Sequence, residues 1–273
     1  MKWKELIKHN AWIVEDLLNK DECDYFLEKA NDLGILNQVS KGDIRHRNST
    51  TVAFNDKEMA RIVFDRIKKH LPQALIIGKE ECKYKYPGIC DSDEVYGTWK
   101  PYGLNHRWRI ACYPDKGHFG PHRDGDYVKD EHHRSFITIN GYLTDRPRGF
   151  GGATRFVKDD IDVHRSNQNG ILTTSEEDVL HRIEADKAGK AVVFLHDLMH
   201  DGEPLKAGSP PKWLFRSEVM FERDPNTAPK MSEQQIEARK YLKMAEDAES
   251  QGDILGATSF YKKAYRLDFR LDT

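Results

Sequence analysis

Two residues one position apart, His122 and Asp124, are the first pair in this sequence with the chemistry of a metal site. They lie in the segment CYPDKGHFGPHRDGD, which begins as a strand. In an extended strand, residues i and i+2 point to the same face, so an imidazole and a carboxylate would stand side by side. An HxD pair occurs often by chance. It predicts a metal site only if a further ligand comes from another part of the chain.

That further ligand is predicted in the segment KAVVFLHDLMHDGEPLKAG, where an apolar strand is followed by two histidines. His200 is the candidate at the strand end, and His196 is its competitor, which we expect to be a neighbour of the metal site or a surface residue. Two histidines and one carboxylate on one face form the facial ligand set of non-haem Fe(II), which leaves coordination positions open. We therefore predict that His122, Asp124 and His200 bind the metal and are catalytic.

Most of the other histidines in this chain, which has twelve, lie among charged residues and are expected to be solvated. Examples are His9, His46 and His70. His132 and His133, in DYVKDEHHR, are expected in a loop. That loop and residues 85–105 are predicted to cover the site.

Two cations follow the histidine segment, Lys212 and Arg216 in the predicted strand KWLFRSEVMF. They are four residues apart, so they face the same side of the strand. A cation there could hold a carboxylate, and Arg can do so with two parallel hydrogen bonds. Spacing does not decide between the two. Arg109 and Asn105, which precede the first metal-binding segment, are candidates for a substrate groove or for a structural salt bridge.

The elements that must position these residues differ along the chain. Residues 1–75 carry helical patterns. NKDECDYFLEKANDLG opens with the capping residues Asn19 and Asp21 and closes at Gly34. DKEMARIVFDRIKKHLP has one apolar face and is predicted to end at Pro72.

Residues 76–223 consist of short β-branched and aromatic segments separated by Gly, Pro and Asp turns. The segments are RWRIACYP, RSFITINGYL, ATRFV, KAVVFL and KWLFRSEVMF. This spacing is typical of an antiparallel sandwich or jelly roll. We therefore predict a mainly β fold with flanking helices and a site inside the barrel.

Residues 224–231, DPNTAPKM, are predicted to be a linker, and residues 232–273 to form two amphipathic helices separated at Gly252. The order of small and aromatic residues resembles a tetratricopeptide unit. Those residues are Tyr241, Ala245, Gly252, Ala257, Tyr261 and Ala264. A single unit cannot bury both of its faces, so the hairpin is expected to pack on the main domain or to bind a protein partner.

Composition excludes several classes of protein. With 12 Phe, 11 Tyr and 5 Trp the chain can bury a core, unlike a disordered chain. Its net charge of −2 disfavours a general nucleic-acid or acidic-membrane binder. No apolar run approaches the roughly 20 residues of a membrane span, and MKWKELIKHN has no signal-peptide character. The four cysteines lack CxxC spacing, so we expect reduced thiols and a cytoplasmic or nuclear protein.

The ordered motifs resemble the 2-oxoglutarate- and Fe(II)-dependent dioxygenases, specifically the prolyl 4-hydroxylase-like branch, over roughly residues 12–222. The motifs are IVEDLLNKDECDYFLEKA, LNHRWRIACYPDKGHFGPHRDGD, GYLTD, GFGGATRF and HDGEPLKAG followed by KWLFRSEVMF. RIACYP is particularly similar to the oxygen-sensing prolyl hydroxylases. The resemblance implies a double-stranded β-helix (jelly roll) core, with Fe(II), 2-oxoglutarate and O2 as reactants and ascorbate as an activator.

The resemblance also implies roles for individual residues. The three predicted metal ligands match the family's iron ligands. Lys212 matches the basic residue that grips the far carboxylate of 2-oxoglutarate, allowing for an insertion at residues 209–211, and Arg216 is its rival. Tyr142 matches a tyrosine whose hydroxyl reaches the same carboxylate, and Tyr113 matches a tyrosine near the metal pocket.

The function that follows is hydroxylation of a peptidyl proline in a protein, with release of succinate and CO2. One alternative is the same chemistry on a small molecule. Another is a non-catalytic binding module that acts through the helical tail, which the complete ligand triad argues against. The expected partners are a protein or peptide substrate and a protein bound by the hairpin, with no nucleic acid and no membrane.

Overall fold

The computed structural model describes residues 1–40, 42–84, 93–160, 167–168 and 170–271. The chain forms two compact units, Met1–Ala228 and Pro229–Thr273. The boundary between these units lies within the segment predicted as a linker. The division into four functional segments stays a prediction.

The first unit is built mainly from strands. In chain order they are β1 (Lys2–Ile7), β2 (Ala11–Glu15), β3 (Arg47–Asn48), β4 (Thr50–Asn55), β5 (Leu75–Ile77), β6 (Gly97–Leu104), β7 (Arg107–Tyr113), β8 (His118–His122), β9 (Val128–Asp130), β10 (His133–Tyr142), β11 (Thr154–Val157), β12 (Asn167–Gln168), β13 (Ile171–Leu172), β14 (Val179–Ile183), β15 (Ala191–Leu195), β16 (His200–Gly202) and β17 (Lys212–Arg223). The helices are α1 (Lys20–Asp32), α2 (Lys57–Ile67), α3 (Lys79–Tyr84), α4 (Glu233–Ser250) and α5 (Ile254–Leu267).

The strands form a large and a small sheet. The large one has ten strands in the order β1-β2-β15-β10-β17-β6-β5, with β7 also on β17, β4 on β7 and β9 on β10. The small one has five strands in the order β14-β11-β16-β8-β3. A buried apolar cluster combines residues of both sheets, such as Tyr113, Phe156 and Phe194. The prediction of a mainly β fold with a jelly-roll core and flanking helices is confirmed.

Both predicted N-terminal helices are present. The Asn19 side chain accepts from the backbone N–H of Glu22, whose side chain accepts from the backbone N–H of Asn19, and this capping box starts α1. Gly34, with φ +69°, follows the helix end. The helix α2 ends at Ile67 and not at Pro72 as predicted, because the backbone closes a tight three-residue turn directly afterwards.

The purely helical description of residues 1–75 is wrong, because this segment also contains β1 to β4. The residues AWIVE form β2, which pairs with β15 inside the large sheet. A short continuous apolar run does not distinguish a buried strand from a buried helix by its periodicity.

Residues 85–105 were predicted to cover the site. Residues 97–104 are the strand β6 of the large sheet, and residues 85–92 lie outside the described residues. Cys90 belongs to that segment, whereas Cys23 and Cys112 are buried free thiols. His133 is the first residue of β10 and not a loop residue, since its main chain pairs with Glu222.

The second unit is a helical hairpin. Ser232 and Asp253 cap the two helices, and Gly252, with φ +80°, makes the turn between them. Four alanines are buried in this hairpin, Ala238, Ala245, Ala257 and Ala264. Its assignment to the tetratricopeptide class stays a prediction. Among the described residues, no helix is both long and apolar enough to cross a membrane.

Candidate active site

The three predicted metal ligands converge at the edge where two neighbouring strands of the small sheet meet. His122 ends β8, His200 begins β16, and the two residues pair directly across the strands. Asp124 lies just beyond β8, and its backbone N–H donates to the carbonyl of His196 at 3.2 Å. One potential ligand atom from each of the three side chains lies within 4.8 Å of the others. His200 therefore starts a strand of the small sheet, instead of ending the apolar strand β15.

The two imidazoles are oriented as metal ligands need. Nδ1 of His122 lies 2.8 Å from the Gly120 carbonyl, and Nδ1 of His200 lies 2.9 Å from the Leu198 carbonyl. A carbonyl oxygen only accepts, so each Nδ1 carries the proton and each Nε2 keeps a lone pair. The two Nε2 atoms face Asp124, at 3.7 Å for His122 and 3.9 Å for His200. This donor set fits a divalent transition metal such as Fe(II).

The Asp124 carboxylate is held ionised in a nearly buried position. Its Oδ2 accepts from the Thr138 hydroxyl at 2.6 Å, and its Oδ1 lies 2.8 Å from Nη1 of Arg216. Burial raises the pKa of Asp124, but Arg216 and the two histidines outweigh burial and keep it well below its usual range. Burial, followed by the charge of His200, lowers the pKa of His122 to about 3. The site therefore offers an anion and a neutral imidazole at neutral pH.

A cavity of about 360 Å³ opens beside the triad, within the size range of small-ligand pockets. Alternate residues of two neighbouring strands of the large sheet line it, because side chains alternate between the faces of a strand. They are Arg107, Arg109, Ala111 and Tyr113 on β7 and Lys212, Leu214 and Arg216 on β17. The predicted ligands His122, Asp124 and His200 also line this cavity.

Lys212 lies at the inner end of the cavity and is only 2% exposed. Its Nζ is 5.1 Å from the ring centre of Tyr113 and 5.6 Å from that of Tyr142. Among the described residues it has no carboxylate partner. Burial, followed by the nearby charge of Arg146, lowers the pKa of Lys212 to about 7. A buried cation in this position suits an incoming carboxylate.

Residues 209–211, the insertion noted in the sequence, help to position the guanidinium of Arg146. The guanidinium of Arg146 donates to the Gly151 carbonyl at 3.1 Å, to the Ser209 hydroxyl at 2.6 Å and to the Pro210 carbonyl at 3.2 Å. These three hydrogen-bond partners are neutral, and the positive charge of Arg146 acts on Lys212. The insertion thereby contributes to the low pKa of that lysine.

The two candidate tyrosines occupy different positions. Tyr113 lines the cavity and is 6% exposed. Tyr142 is more deeply buried, and its hydroxyl donates to Thr154 Oγ1 at 2.9 Å. Thr154 lines the cavity, so Tyr142 supports the cavity wall through Thr154. The cosubstrate roles of both tyrosines stay predictions.

Arg216 and Arg109 form an ionic cluster around the buried carboxylate of Glu218. Glu218, 1% exposed, accepts from Arg109 Nη1 at 2.6 Å and from Asn105 Nδ2 at 2.9 Å. Nε of Arg216 is 3.4 Å from the same carboxylate. Arg109 therefore forms a structural salt bridge, which Asn105 supports by a hydrogen bond to the same carboxylate, and Arg109 also lines the cavity.

Two further histidines lie near the site. His196 is 5% exposed, and burial lowers its pKa to about 4, so of the two predicted positions it takes that of a neutral buried neighbour of Asp124. His46 is half-buried, with its ring 5.3 Å from that of Phe119 and 6.4 Å from that of His122. His46 was predicted to be solvated because its neighbours in sequence are charged, and that reasoning missed its proximity to the site.

A second buried ion pair supports the strand that carries His200. Asp201, the next residue, is 1% exposed, and its carboxylate meets the guanidinium of Arg155 at 2.8 Å and 2.5 Å. The two residues pair across β11 and β16. The Arg155 guanidinium also donates to Thr173 Oγ1 at 3.0 Å. The pair therefore fixes β16, and with it His200, against two other segments.

We expect Arg155→Met to reduce the free energy of unfolding by about 3–5 kcal/mol, because it leaves the Asp201 charge buried without its partner. Urea unfolding of the metal-free protein measures this loss. Arg148→Met is the matched control, since the Arg148 side chain is 79% exposed and its partner Asp186 keeps a second ion pair, with Lys190 at 3.0 Å. A loss under about 1 kcal/mol for Arg155→Met would mean that the pair contributes no more than a surface ion pair.

Comparison with known proteins agrees with this geometry. Residues 108–217 match the family model described as the 2OG-Fe(II) oxygenase superfamily. The match covers less than half of the chain and supports the assignment of this region to that superfamily. It includes the strands that carry His122 and His200, and the start of β17. No curated protein matches the chain significantly in sequence.

Solved structures give more distant likenesses. A viral collagen prolyl hydroxylase from Paramecium Bursaria Chlorella virus-1, in a 2OG complex, is 20% identical over 78% of this chain and 96% of its own, with a TM-score of 0.43. A Pseudomonas putida prolyl-4-hydroxylase is 16% identical over 79% and 94%, with a TM-score of 0.44. A Trichoplax adhaerens prolyl hydroxylase, in complex with a hypoxia inducible factor peptide fragment, is 14% identical over 80% and 86%, with a TM-score of 0.45. Likenesses this distant identify no substrate for this chain.

Proposed function

We propose that this protein is an Fe(II)- and 2-oxoglutarate-dependent dioxygenase that hydroxylates a peptidyl proline in a protein substrate. The observation that carries the proposal is the triad His122, Asp124 and His200, with both Nε2 atoms facing one ionised carboxylate at the wall of a cavity. The superfamily match of residues 108–217 supports the same chemistry. Fe(II) held there, with 2-oxoglutarate and O2, would supply oxidation of an unactivated C–H bond and release succinate and CO2.

The residues of the chain perform the binding and orienting steps. The backbone carbonyls of Gly120 and Leu198 fix the tautomers of the two imidazoles, so both Nε2 atoms are ready as ligands. Thr138 and Arg216 hold the carboxylate of Asp124 ionised and fix its orientation. Asp124 therefore does not have to lose a proton when the metal binds.

Lys212 is the residue we propose for the far carboxylate of 2-oxoglutarate. It lies at the inner end of the cavity without a carboxylate partner among the described residues, whereas Arg216 is already paired with Asp124. The rings of Tyr113 and Tyr142 flank the ammonium group and exclude water from it. A carboxylate placed there gains a charge-assisted hydrogen bond in a dry environment.

The proline substrate rests on the sequence resemblance of the RIACYP segment to oxygen-sensing prolyl hydroxylases. Ascorbate as activator rests on the same resemblance. We also propose that the C-terminal hairpin recruits a protein. Ile254 and Leu255 of the hairpin are 63% and 86% exposed, and exposed apolar residues on small helices favour contact with a partner.

The decisive experiment has two stages. Fe(II) and then 2-oxoglutarate are titrated into the protein without O2, and binding is followed by calorimetry. O2 is then admitted, and succinate release is measured with and without proline-containing peptides. Absence of Fe(II)-dependent 2-oxoglutarate binding would reject the dioxygenase. Succinate release that small molecules stimulate, while proline peptides do not, would reject only the peptidyl proline.

Deletion of residues 232–273 distinguishes the proposed enzyme from a binding module that acts through the hairpin. We expect the truncated protein to retain 2-oxoglutarate turnover without substrate, because every residue assigned to chemistry lies in Met1–Ala228. Capture of a protein substrate or partner should weaken. Succinate release and pull-down yield are measured for both lengths of protein. A folded, soluble truncation without turnover would show that the hairpin completes the active site.

A further inference from the structure

The cavity beside the triad carries more positive charge than the metal and the cosubstrate need. Five basic side chains line it, against two carboxylates. The basic residues are Arg47, Arg107, Arg109, Lys212 and Arg216, and the acidic ones are Asp124 and Asp201. An excess of one charge in a cavity of low dielectric concentrates ligands of the opposite charge.

Most of these charges are already matched. Arg216 meets Asp124 at 2.8 Å, and Arg109 meets the buried Glu218 at 2.6 Å. Asp201 is paired with Arg155, which does not line the cavity. Lys212 is assigned to the cosubstrate. Within the described part of the chain, Arg47 and Arg107 are left with no carboxylate partner.

Arg47 is held close to the reacting centre. Its guanidinium carbon lies 4.5 Å from the ring centre of Phe119, and that ring stacks on His122 with 3.7 Å between centres. Its Nε donates to the Ser49 hydroxyl at 2.7 Å, which fixes the guanidinium plane. The terminal nitrogens remain available for two parallel hydrogen bonds to a carboxylate. A preorganised arginine one aromatic ring away from a metal ligand is suited to orienting a substrate.

Arg107 extends the positive charge to the cavity mouth. It lies two residues before Arg109 on β7, so it faces the same side, and it is exposed. The cavity therefore has positive charge at its inner end, beside the triad and at its mouth. Lys212 lies at the inner end, Arg47 beside the triad and Arg107 at the mouth.

We infer that the substrate carries a carboxylate next to the carbon that reacts, and that Arg47 binds this carboxylate while Arg107 attracts it at the cavity mouth. The inference rests on the proposed function and narrows its substrate to an acidic peptide, with glutamate or aspartate beside the target residue. A small carboxylic acid offers the same chemistry from another source. Arg47 and Arg107 are thus specificity-determining residues.

The test compares matched charged and neutral probes in binding, without O2. Two proline peptides have the same sequence except that glutamates flank the proline in one and glutamines in the other. A second pair is N-acetylproline and N-acetylprolinamide. Each probe is titrated into the full-length protein by calorimetry, both with and without Fe(II) and 2-oxoglutarate, because the charges of Arg47 and Arg107 do not depend on the metal.

We expect the wild-type protein to bind the glutamate peptide at least about tenfold more tightly than the glutamine peptide, and less tightly as salt is added. Arg47→Gln should remove most of this preference, Arg107→Gln part of it, and Arg47→Lys should retain some. Arg61→Gln is the matched control, since Arg61 is exposed on α2 and paired with Glu58. The 2-oxoglutarate affinity should fall much less than the preference for the glutamate peptide in both glutamine variants, which separates this site from the cosubstrate site.

The outcomes separate the possibilities. A charge preference confined to the N-acetylproline pair supports the carboxylate site and identifies a small acid as its source. No preference in either pair, or a preference that Arg47→Gln leaves intact, overturns the inference. Tighter binding of a single-stranded oligonucleotide than of either pair also overturns it. A protein that keeps the preference but does not load Fe(II) retains the anion site and refutes the proposed dioxygenase.

Discussion

We expect His122→Ala and His200→Ala each to abolish Fe(II) binding and succinate release while the fold remains. Each substitution removes one of three donors, and loss even of an indirect partner of a metal ligand typically weakens binding about 10- to 100-fold. A direct ligand should therefore cost on the order of a hundredfold or more. Calorimetric titration with Fe(II) under anaerobic conditions measures the affinity, and far-UV circular dichroism checks the fold.

His196→Ala is the matched control. It removes a buried imidazole, and the alanine retains the backbone carbonyl that accepts from the backbone N–H of Asp124. We expect lower stability and nearly normal Fe(II) affinity. If His196→Ala lost iron and His200→Ala retained it, the assignment of the ligands would be wrong.

Two of the three candidate metal ligands could be brought together from sequence because their signal is local. The spacing of His122 and Asp124 depends only on an extended backbone, which the residues RWRIACYP and HFGPH favour. His200 lies far along the chain, so its place depended on motif order. The strand predicted around it was incorrect, since His200 begins β16 in the small sheet. The three side chains nevertheless lie close together, because His200 pairs with His122 across β16 and β8.

The choice between Lys212 and Arg216 could not be made from sequence. Their spacing puts both on one face of β17, and both line the cavity. The two residues differ in how deeply they lie in the cavity and in which side chains they contact. Both properties depend on the pairing of β17 with strands that are distant in sequence. Lys212 pairs with Tyr113, whereas Arg216 pairs with Arg109 and lies opposite Asn140. That second position brings Arg216 within reach of Asp124.

A structural salt bridge at Arg109 was one sequence-based alternative, but the partners of the charged residues around the site could not be predicted from sequence. Arg155 and Asp201 are 46 residues apart, and Arg47 and Phe119 meet only because β3 lies beside β8. A charged residue in a short strand looks like a surface residue until its neighbours are known. The same limit explains why β2 was missed, since its partner β15 is more than 170 residues away, and β1 in turn pairs with β2.

Lys212→Ala should weaken 2-oxoglutarate binding by about 2–5 kcal/mol, because it removes the partner of a buried carboxylate. That is roughly a 30-fold loss of affinity or more. Arg216→Ala should act differently. It frees Asp124 of its ion pair and should alter Fe(II) affinity more than 2-oxoglutarate affinity. Separate anaerobic titrations with Fe(II) and with 2-oxoglutarate distinguish the two effects.

The pH dependence of 2-oxoglutarate binding gives an independent check. The pKa of Lys212 is about 7 before the cosubstrate binds, so the fraction of Lys212 that carries a charge falls as the pH rises through 7. An anion binds the protonated form, so affinity should decrease above pH 7 by up to about tenfold per pH unit. Binding near pH 7 should take up protons, which calorimetry in buffers of different ionisation enthalpy detects.

Lys212→Arg is the control for this pH effect, because a guanidinium stays charged throughout the range. It should flatten the pH dependence above 7, whatever its effect on the affinity itself. A wild-type affinity that does not change between pH 6 and pH 9, or an equal slope in Lys212→Arg, would mean that another group holds the far carboxylate. Lys212 would then have no role in binding the cosubstrate, and the arginines of β7 and β17 would have to bind its far carboxylate.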